Sequence, residues 1–329
     1  MKNIGIRGTG SYLPVTIWNN ADLISKGVNT TDEWIYSKTG IKQRHIAASN
    51  EATSDLAANA ALAALNVAKL NPTDIDLIVL ATSSPDMIQP STASIVQGKI
   101  GAFNAAAFDV SAVCAGFIYA MVTSIGMMRG FNNYKNVLVI GAETYSRILD
   151  WNDRSTCVFF GDGAGAVVLS ETNTPGYMSH FIMNDGTKAD VIKFPAGGSR
   201  LPASEQTLKN GLHSFRMDGK KVWEFAINAF PAAVKKACEN ANCQVSDISL
   251  LISHQANINI IRAGMEKLGL GMDKTFTTIE NTANTSAASI PIALDCAVKN
   301  NRLKTGDLIS LVGFGGGLSW GSILLKWDR

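Results

Sequence analysis

The chain has 329 residues, 46% of them apolar and 17% charged, with a formal net charge of +2. Length alone suggests about two domains and room for a large buried core. So small a charge argues against a nucleic-acid partner or an anionic membrane surface, and no apolar run approaches the roughly 20 residues of a membrane span.

The opening stretch, Met1–Pro14, reads as a strand and a turn rather than a signal peptide, so the chain is expected to be cytoplasmic. An Ala-rich helical stretch follows at Ser54–Lys69, and then a buried strand at Asp74–Ala81. A short strand ends before Cys114, and Cys114-Ala115-Gly116 opens a helix running on through Tyr119. A thiol at a helix N-terminus lies in a positive field, which is expected to lower its pKa and favour thiolate. On its own, Cys114 reads equally well as a buried structural cysteine. The next strand is Asn136–Gly141, and Phe160–Ala166 is a glycine-rich run without the Lys-Ser/Thr ending of a phosphate loop, better explained by close strand packing.

The second half repeats the first. Asp247–His254 resembles Asp74–Ala81, Leu308–Gly313 resembles Asn136–Gly141, and Gly176–Phe181 resembles Asn3–Gly8, all at an offset of about 173 residues. The helical stretch Val222–Asn240 matches Ser54–Lys69. Near-continuous apolar strands alternating with helices predict α/β layers. The chain therefore reads as two duplicated halves, 1–174 and 175–329, related by a pseudo-twofold axis. The first half carries about 16 extra residues, 145–160, where insertions commonly build substrate sites. They include Trp151 and Arg154, an aromatic and a cation suited to a base and a phosphate.

His254 ends a buried strand, a place suited to acid/base or hydrogen-bonding work, although a lone histidine there is more often structural. Asn284 opens a helical segment at about the place Cys114 holds in the first half; its amide suits an oxyanion, or equally a helix cap. Gly313–Gly321 is a weak dinucleotide signal, because a strand follows it rather than a helix. Five cysteines, with no Cys-x-x-Cys spacing, predict neither a disulfide framework nor a zinc site; most should be small buried hydrophobes.

Taken in order, Thr31–Ile35, Thr39–Ile46, the Cys114 segment, Phe160–Ala166, His254–Asn257, Asn284–Ala288 and Gly313–Gly317 resemble the thiolase-fold condensing enzymes. The resemblance covers essentially the whole chain. The Cys-His-Asn set is similar to the β-ketoacyl-[acyl-carrier-protein] synthase III branch. It implies an α/β fold layered αβαβα and a homodimer. It also implies an initiating condensation in which acyl-CoA loads Cys114 and malonyl-acyl carrier protein extends it, with no metal or redox cofactor. The roles it implies are His254 and Asn284 on the malonyl thioester, the N–H groups of Cys114 and Gly316 as the oxyanion hole, and Phe314 beside the active-site pair. Trp34 and Arg154 would sandwich the adenine of CoA.

Several positions depart from the family pattern. Lys38 stands where an Arg commonly helps bind CoA, and Gln89 where a Phe from the partner subunit commonly closes the acyl pocket. Asn259, Glu224 and Glu266 replace cations linked to carrier-protein docking, although Arg262 and Lys267 remain. Thr282-Ala283 replaces a residue followed by glycine before Asn284, a departure that reads as minor. These differences leave a second reading open, a specialised ketosynthase or acyltransferase with another acyl donor or acceptor. A silent partner subunit is disfavoured by the complete Cys114, His254 and Asn284 set.

Overall fold

The computed structural model describes residues 2–329. Its first sheet comprises β1 (Ile4–Tyr12), β2 (Leu77–Ala81), β3 (Ala106–Val110), β4 (Asn136–Glu143) and β5 (Gly163–Glu171), in the order β1-β5-β4-β2-β3. The second comprises β6 (Tyr177–Asn184), β7 (Leu250–Ser253), β8 (Leu308–Gly315) and β9 (Ser319–Lys326), in the order β6-β9-β8-β7. Strand for strand the two orders match, and so do directions. The outer pairs β1–β5 and β6–β9 are antiparallel, and β2–β4 and β7–β8 are parallel. The counterpart of β3 is reduced to one bridge, Leu251 to Thr275.

Strands buried on both faces need helices on both sides. The main helices are α1 (Asp32–Thr39), α2 (Thr53–Ala68), α3 (Thr92–Ile100), α4 (Gly116–Gly130), α5 (Gly219–Asn240), α6 (Ile258–Leu268) and α7 (Ser289–Lys299). The central core joins Leu77, Val79 and Val139 of the first sheet to Ile252, Ile309 and Ile323 of the second through Phe117 and Met121 of α4 and Ile290 and Leu294 of α7. Alanines of α2 pack on the outer face of the first sheet, and Phe230 and Val234 of α5 with Ile261 of α6 cover that of the second. The layers run α, β, α, β, α. The alanine content of α2 lets the helix lie close to β1: a Cβ at Gly8 would meet the Ala64 carbonyl at 2.3 Å.

Val113–Gly130 is apolar enough over 18 residues to pass for a membrane span by composition. It instead lies at the centre of this fold, with Phe117, Ile118 and Ala120 fully buried. Among the described residues no three His, Cys, Asp or Glu side chains converge as a metal cluster, and all five cysteines are free.

Candidate active site

The chain bends sharply where β3 ends. Val113 takes φ +48°, a single 3-10 turn Val113–Ala115 follows, and α4 starts at Gly116. The turn presents Cys114 between the two sheets. The end of β8 closes on it so tightly that a Cβ at Gly315 would lie 2.8 Å from the Cys114 Cβ and backbone nitrogen, so only glycine fits. Gly316 stands against the same turn: a Cβ there would be 3.2 Å from Val113 Cγ2.

The second half supplies a matching bend. Ser286 takes φ +47° and starts the 3-10 turn Ser286–Ala288 ahead of α7. Val113 and Ser286 are thus the equivalent positions, and Asn284 sits just before the second turn rather than in register with Cys114. Across the pseudo-dyad, Cys114 Sγ and Ser286 Oγ lie 3.3 Å apart.

Asn284 is anchored on both sides of its peptide. Its N–H donates to the Phe159 carbonyl at 2.9 Å, and its own carbonyl accepts from Gly161 N–H at 3.1 Å. Its Oδ1 accepts from Ser286 N–H at 2.8 Å. With the amide oxygen committed, the Nδ2 group is the one left to donate. The end of the 145–160 insertion therefore holds Asn284 in place.

The residue before it, Ala283, adopts φ 55° and ψ −163°, a region open in practice to glycine alone. The Thr282-Ala283 departure therefore carries backbone strain and is not minor.

His254 leaves β7 with its N–H donating to the Val312 carbonyl at 2.8 Å. Its Nδ1 lies 2.7 Å from Ser289 Oγ, which leaves Nε2 for a ligand, and its ring meets Phe314 edge-on at 5.3 Å. Cys114, His254, Asn284 and Phe314 line one cavity, walled by apolar side chains such as Phe160 and Phe215. Burial decides the electrostatics there. It holds the imidazole down to about 3, so His254 is neutral. It also pushes the Cys114 thiol up to about 12, against the Ser286 hydrogen bond that favours thiolate. Burial thus works against the depression of the thiol pKa expected from the helix terminus.

Three polar residues beside the thiol carry no signal in the sequence. Glu143, fully buried at the end of β4, accepts from Ser83 Oγ at 2.9 Å and Ser84 Oγ at 2.5 Å, and burial raises its pKa. Tyr145 stacks on Phe160 at 4.6 Å and places its hydroxyl 3.0 Å from Ser83 Oγ. With Ser286 they form a hydroxyl-rich floor under Cys114. Only the equivalence of Ser286 with the Cys114 turn could have pointed to it.

The other sequence-selected residues lie away from this cavity. Arg154 stacks its guanidinium over Trp34 at 5.3 Å and donates to the Asn29 carbonyl at 3.0 Å. Lys38 is exposed one turn beyond Trp34 on α1, and its carbonyl accepts from Asn257 and Asn259 side chains at 2.8 and 3.1 Å. Trp151 does not join Arg154. It packs edge-on against Trp18 at 5.4 Å and donates to the Ser146 carbonyl, so it is a packing residue of the insertion. Arg262 and Lys267 are exposed on α6. Gln89 is exposed, beside Met87 at 50% and Ile88 at 85% exposure, and does not line the cavity of its own chain.

The chain matches two family models, 3-oxoacyl-[acyl-carrier-protein (ACP)] synthase III over residues 108–186 and the C-terminal model of the same family over residues 238–327. It is 51% identical to a β-ketoacyl-[acyl-carrier-protein] synthase III of Clostridioides difficile (strain 630), over 98% of each chain. It is 48% identical to the protein of that name from Clostridium acetobutylicum, over 100% of each chain. The crystal structure of 3-oxoacyl-[acyl-carrier-protein] synthase III from Aquifex aeolicus VF5 superposes with a TM-score of 0.91 at 41% identity, covering 99% of this chain and 100% of that one.

Proposed function

The chain belongs to the β-ketoacyl-[acyl-carrier-protein] synthase III family, and we propose that it carries out the initiating condensation of that family with Cys114 as the acyl carrier. The observation that carries the reading is the single apolar cavity shared by Cys114, His254 and Asn284.

In the first step Cys114 Sγ attacks the thioester carbonyl of acyl-CoA, and the thiol proton leaves with the CoA sulfur. Covalent capture divides one difficult step into two. The N–H groups of Cys114 and Gly316 receive the charge that develops on the carbonyl oxygen. In the second step malonyl-acyl carrier protein loses carbon dioxide. Its thioester oxygen, as an enolate, is met by Nδ2 of Asn284 and by Nε2 of His254, in the imidazole tautomer whose Nδ1 accepts from Ser289. A neutral imidazole is a donor here and not a base. The enolate carbon then attacks the acyl-cysteine and expels the Cys114 thiolate, giving 3-oxoacyl-acyl carrier protein.

Trp34 and Arg154 would hold the adenine of CoA. They now close on each other, so Arg154 must swing outward to admit the ring. Lys38 lies on the same helix for a phosphate. Arg262 and Lys267 present the docking cations for an acidic carrier protein. A homodimer fits the exposure of β3, an edge strand with no residue fully buried, and of the adjacent Met87 and Ile88; Gln89 would then face the partner's acyl pocket. The sheet memberships support division into duplicated halves at about residue 174, and five free thiols fit a cytoplasmic setting.

A second reading, a specialised acyltransferase or ketosynthase, is favoured by one observation. Asn259, at a docking position, spends its side chain on the Ser37 and Lys38 carbonyls. Intact-protein mass spectrometry with a panel of acyl-CoAs, followed by malonyl-acyl carrier protein, separates the two. Acylation lost in Cys114→Ala, with a β-ketoacyl product and carbon dioxide in the wild type, supports the condensation. Acylation without decarboxylation favours the second reading, and no acylation by any donor removes both.

A further inference from the structure

We infer that Cys238 and Cys243 form a thiol pair that closes reversibly into a disulfide by exchange with a low-molecular-weight disulfide.

The pair sits at the C-terminus of α5. Asn242 takes φ +51°, Cys243 N–H donates to the Cys238 carbonyl at 3.1 Å, and Asn242 N–H donates to the Glu239 carbonyl at 3.1 Å. These two bonds and the left-handed residue define the helix ending that brings the side chain of the last-but-two helical residue against that of the second residue beyond the cap. Two hydrophobes ordinarily make that contact; here two thiols occupy it. The Cys243 thiol reaches back to the Cys238 carbonyl, with sulfur and oxygen 3.7 Å apart. Disulfides need the two Cβ atoms close and facing, and this ending turns the two side chains toward each other.

Exposure divides the roles. Cys238 is 2% exposed, whereas Cys243 is half-buried, and both line an open cleft with Lys235, Glu239 and Asn242. The Cys243 thiolate attacks a disulfide such as oxidised glutathione, forming a mixed disulfide and releasing one thiolate. The Cys238 thiolate then attacks the Cys243 sulfur and releases the second. Two protein thiols are oxidised, and one small disulfide is reduced to two thiols that take up the two protons the protein thiols give up. Burial and the neighbouring thiol push Cys238 up to about 12, so the second step should accelerate as pH rises. The closed ring is short and removes little chain entropy, so the bond is a modification and not a staple. The inference is independent of the condensation chemistry.

The test treats the whole protein with oxidised glutathione at neutral and at alkaline pH, then blocks remaining thiols and maps peptides. The tryptic peptide Ala237–Arg262 holds both cysteines and no other. We expect glutathione on Cys243 first, then a peptide two hydrogens lighter, restored by dithiothreitol and formed faster at alkaline pH. Cys238→Ser should stop at the mixed disulfide. The inference is overturned if Cys243 takes no glutathione, if it does and Cys238 stays alkylatable at alkaline pH, or if the new bond joins other cysteines. Since the wild-type peptide carries the result, a poorly folded variant does not decide it.

Discussion

The Ser286 hydroxyl reaches Cys114 Sγ at 3.3 Å from the other half of the molecule. It occupies the position that begins the second of two matching turns, so the repeat delivers a hydrogen-bond partner to the cysteine proposed as its nucleophile. Removing it in Ser286→Ala should slow acylation of Cys114 about fivefold, the rate equivalent of one net hydrogen bond of about 1 kcal/mol. Single-turnover mass spectrometry with acyl-CoA measures it. An unchanged acylation rate would show that the contact does not help the thiol.

His254→Ala and Asn284→Ala remove donors assigned to the malonyl oxygen. Each should lower decarboxylation by on the order of 100-fold while acylation falls far less. Carbon dioxide release and intact mass read the two steps separately. Equal loss of both steps would contradict the assignment.

With the Cys114 thiol pushed up to about 12, the resting group is a thiol throughout the neutral range. Deprotonation on raising pH supplies nucleophile, so alkylation of Cys114 by iodoacetamide should climb steadily to about pH 10 without a plateau near 8.5. Because His254 is held neutral down to about 3, no inflection from it should interrupt the profile between about pH 5 and 8. A plateau near neutrality would mean that the helix terminus outweighs burial.

Ala283→Gly should stabilise the protein. The strain at φ 55°, ψ −163° costs of order 1–3 kcal/mol, and the extra freedom of glycine in the unfolded chain returns part of that gain. A net gain of about 1 kcal/mol corresponds to a rise in Tm of about 2 °C. Calorimetry on both proteins checks it, and a fall in Tm would show the strain to be absent.

Arg154→Ala removes one face of the proposed adenine site. KM for acyl-CoA should rise about tenfold with kcat unchanged, the pattern of lost uniform binding. A fall in kcat at constant KM would place Arg154 in the chemistry instead.

Much of this architecture was legible because strands buried on both faces write themselves as apolar runs, and runs repeated at one offset imply paired sheets. Cys114, His254 and Asn284 stood out because each follows a strand or opens a helix. What could not be read was anything created by closure of the two halves. Glu143 ends a strand and Tyr145 follows it without any period of their own, and their hydroxyl-rich floor exists only once Ser286 arrives opposite. The burial that opposes thiolate at Cys114 was hidden for the same reason: the helix terminus is visible in the chain, the burial is not. At Ala283 the residue type was seen and its backbone angle was not. Trp151 was read as a ligand surface, and only the approach of Trp18 makes it packing.

The duplication is not quite complete, and the incompleteness has a directional effect. The first half keeps β3 along its full length, whereas its counterpart is cut to the contact of Leu251 with Thr275. Of these two equivalent borders, only one offers a row of backbone groups to another molecule. Growth needs two such borders per molecule, as in a fibre. In the dimer proposed above, β3 would meet the identical border of a twin, and assembly through that border would end at two.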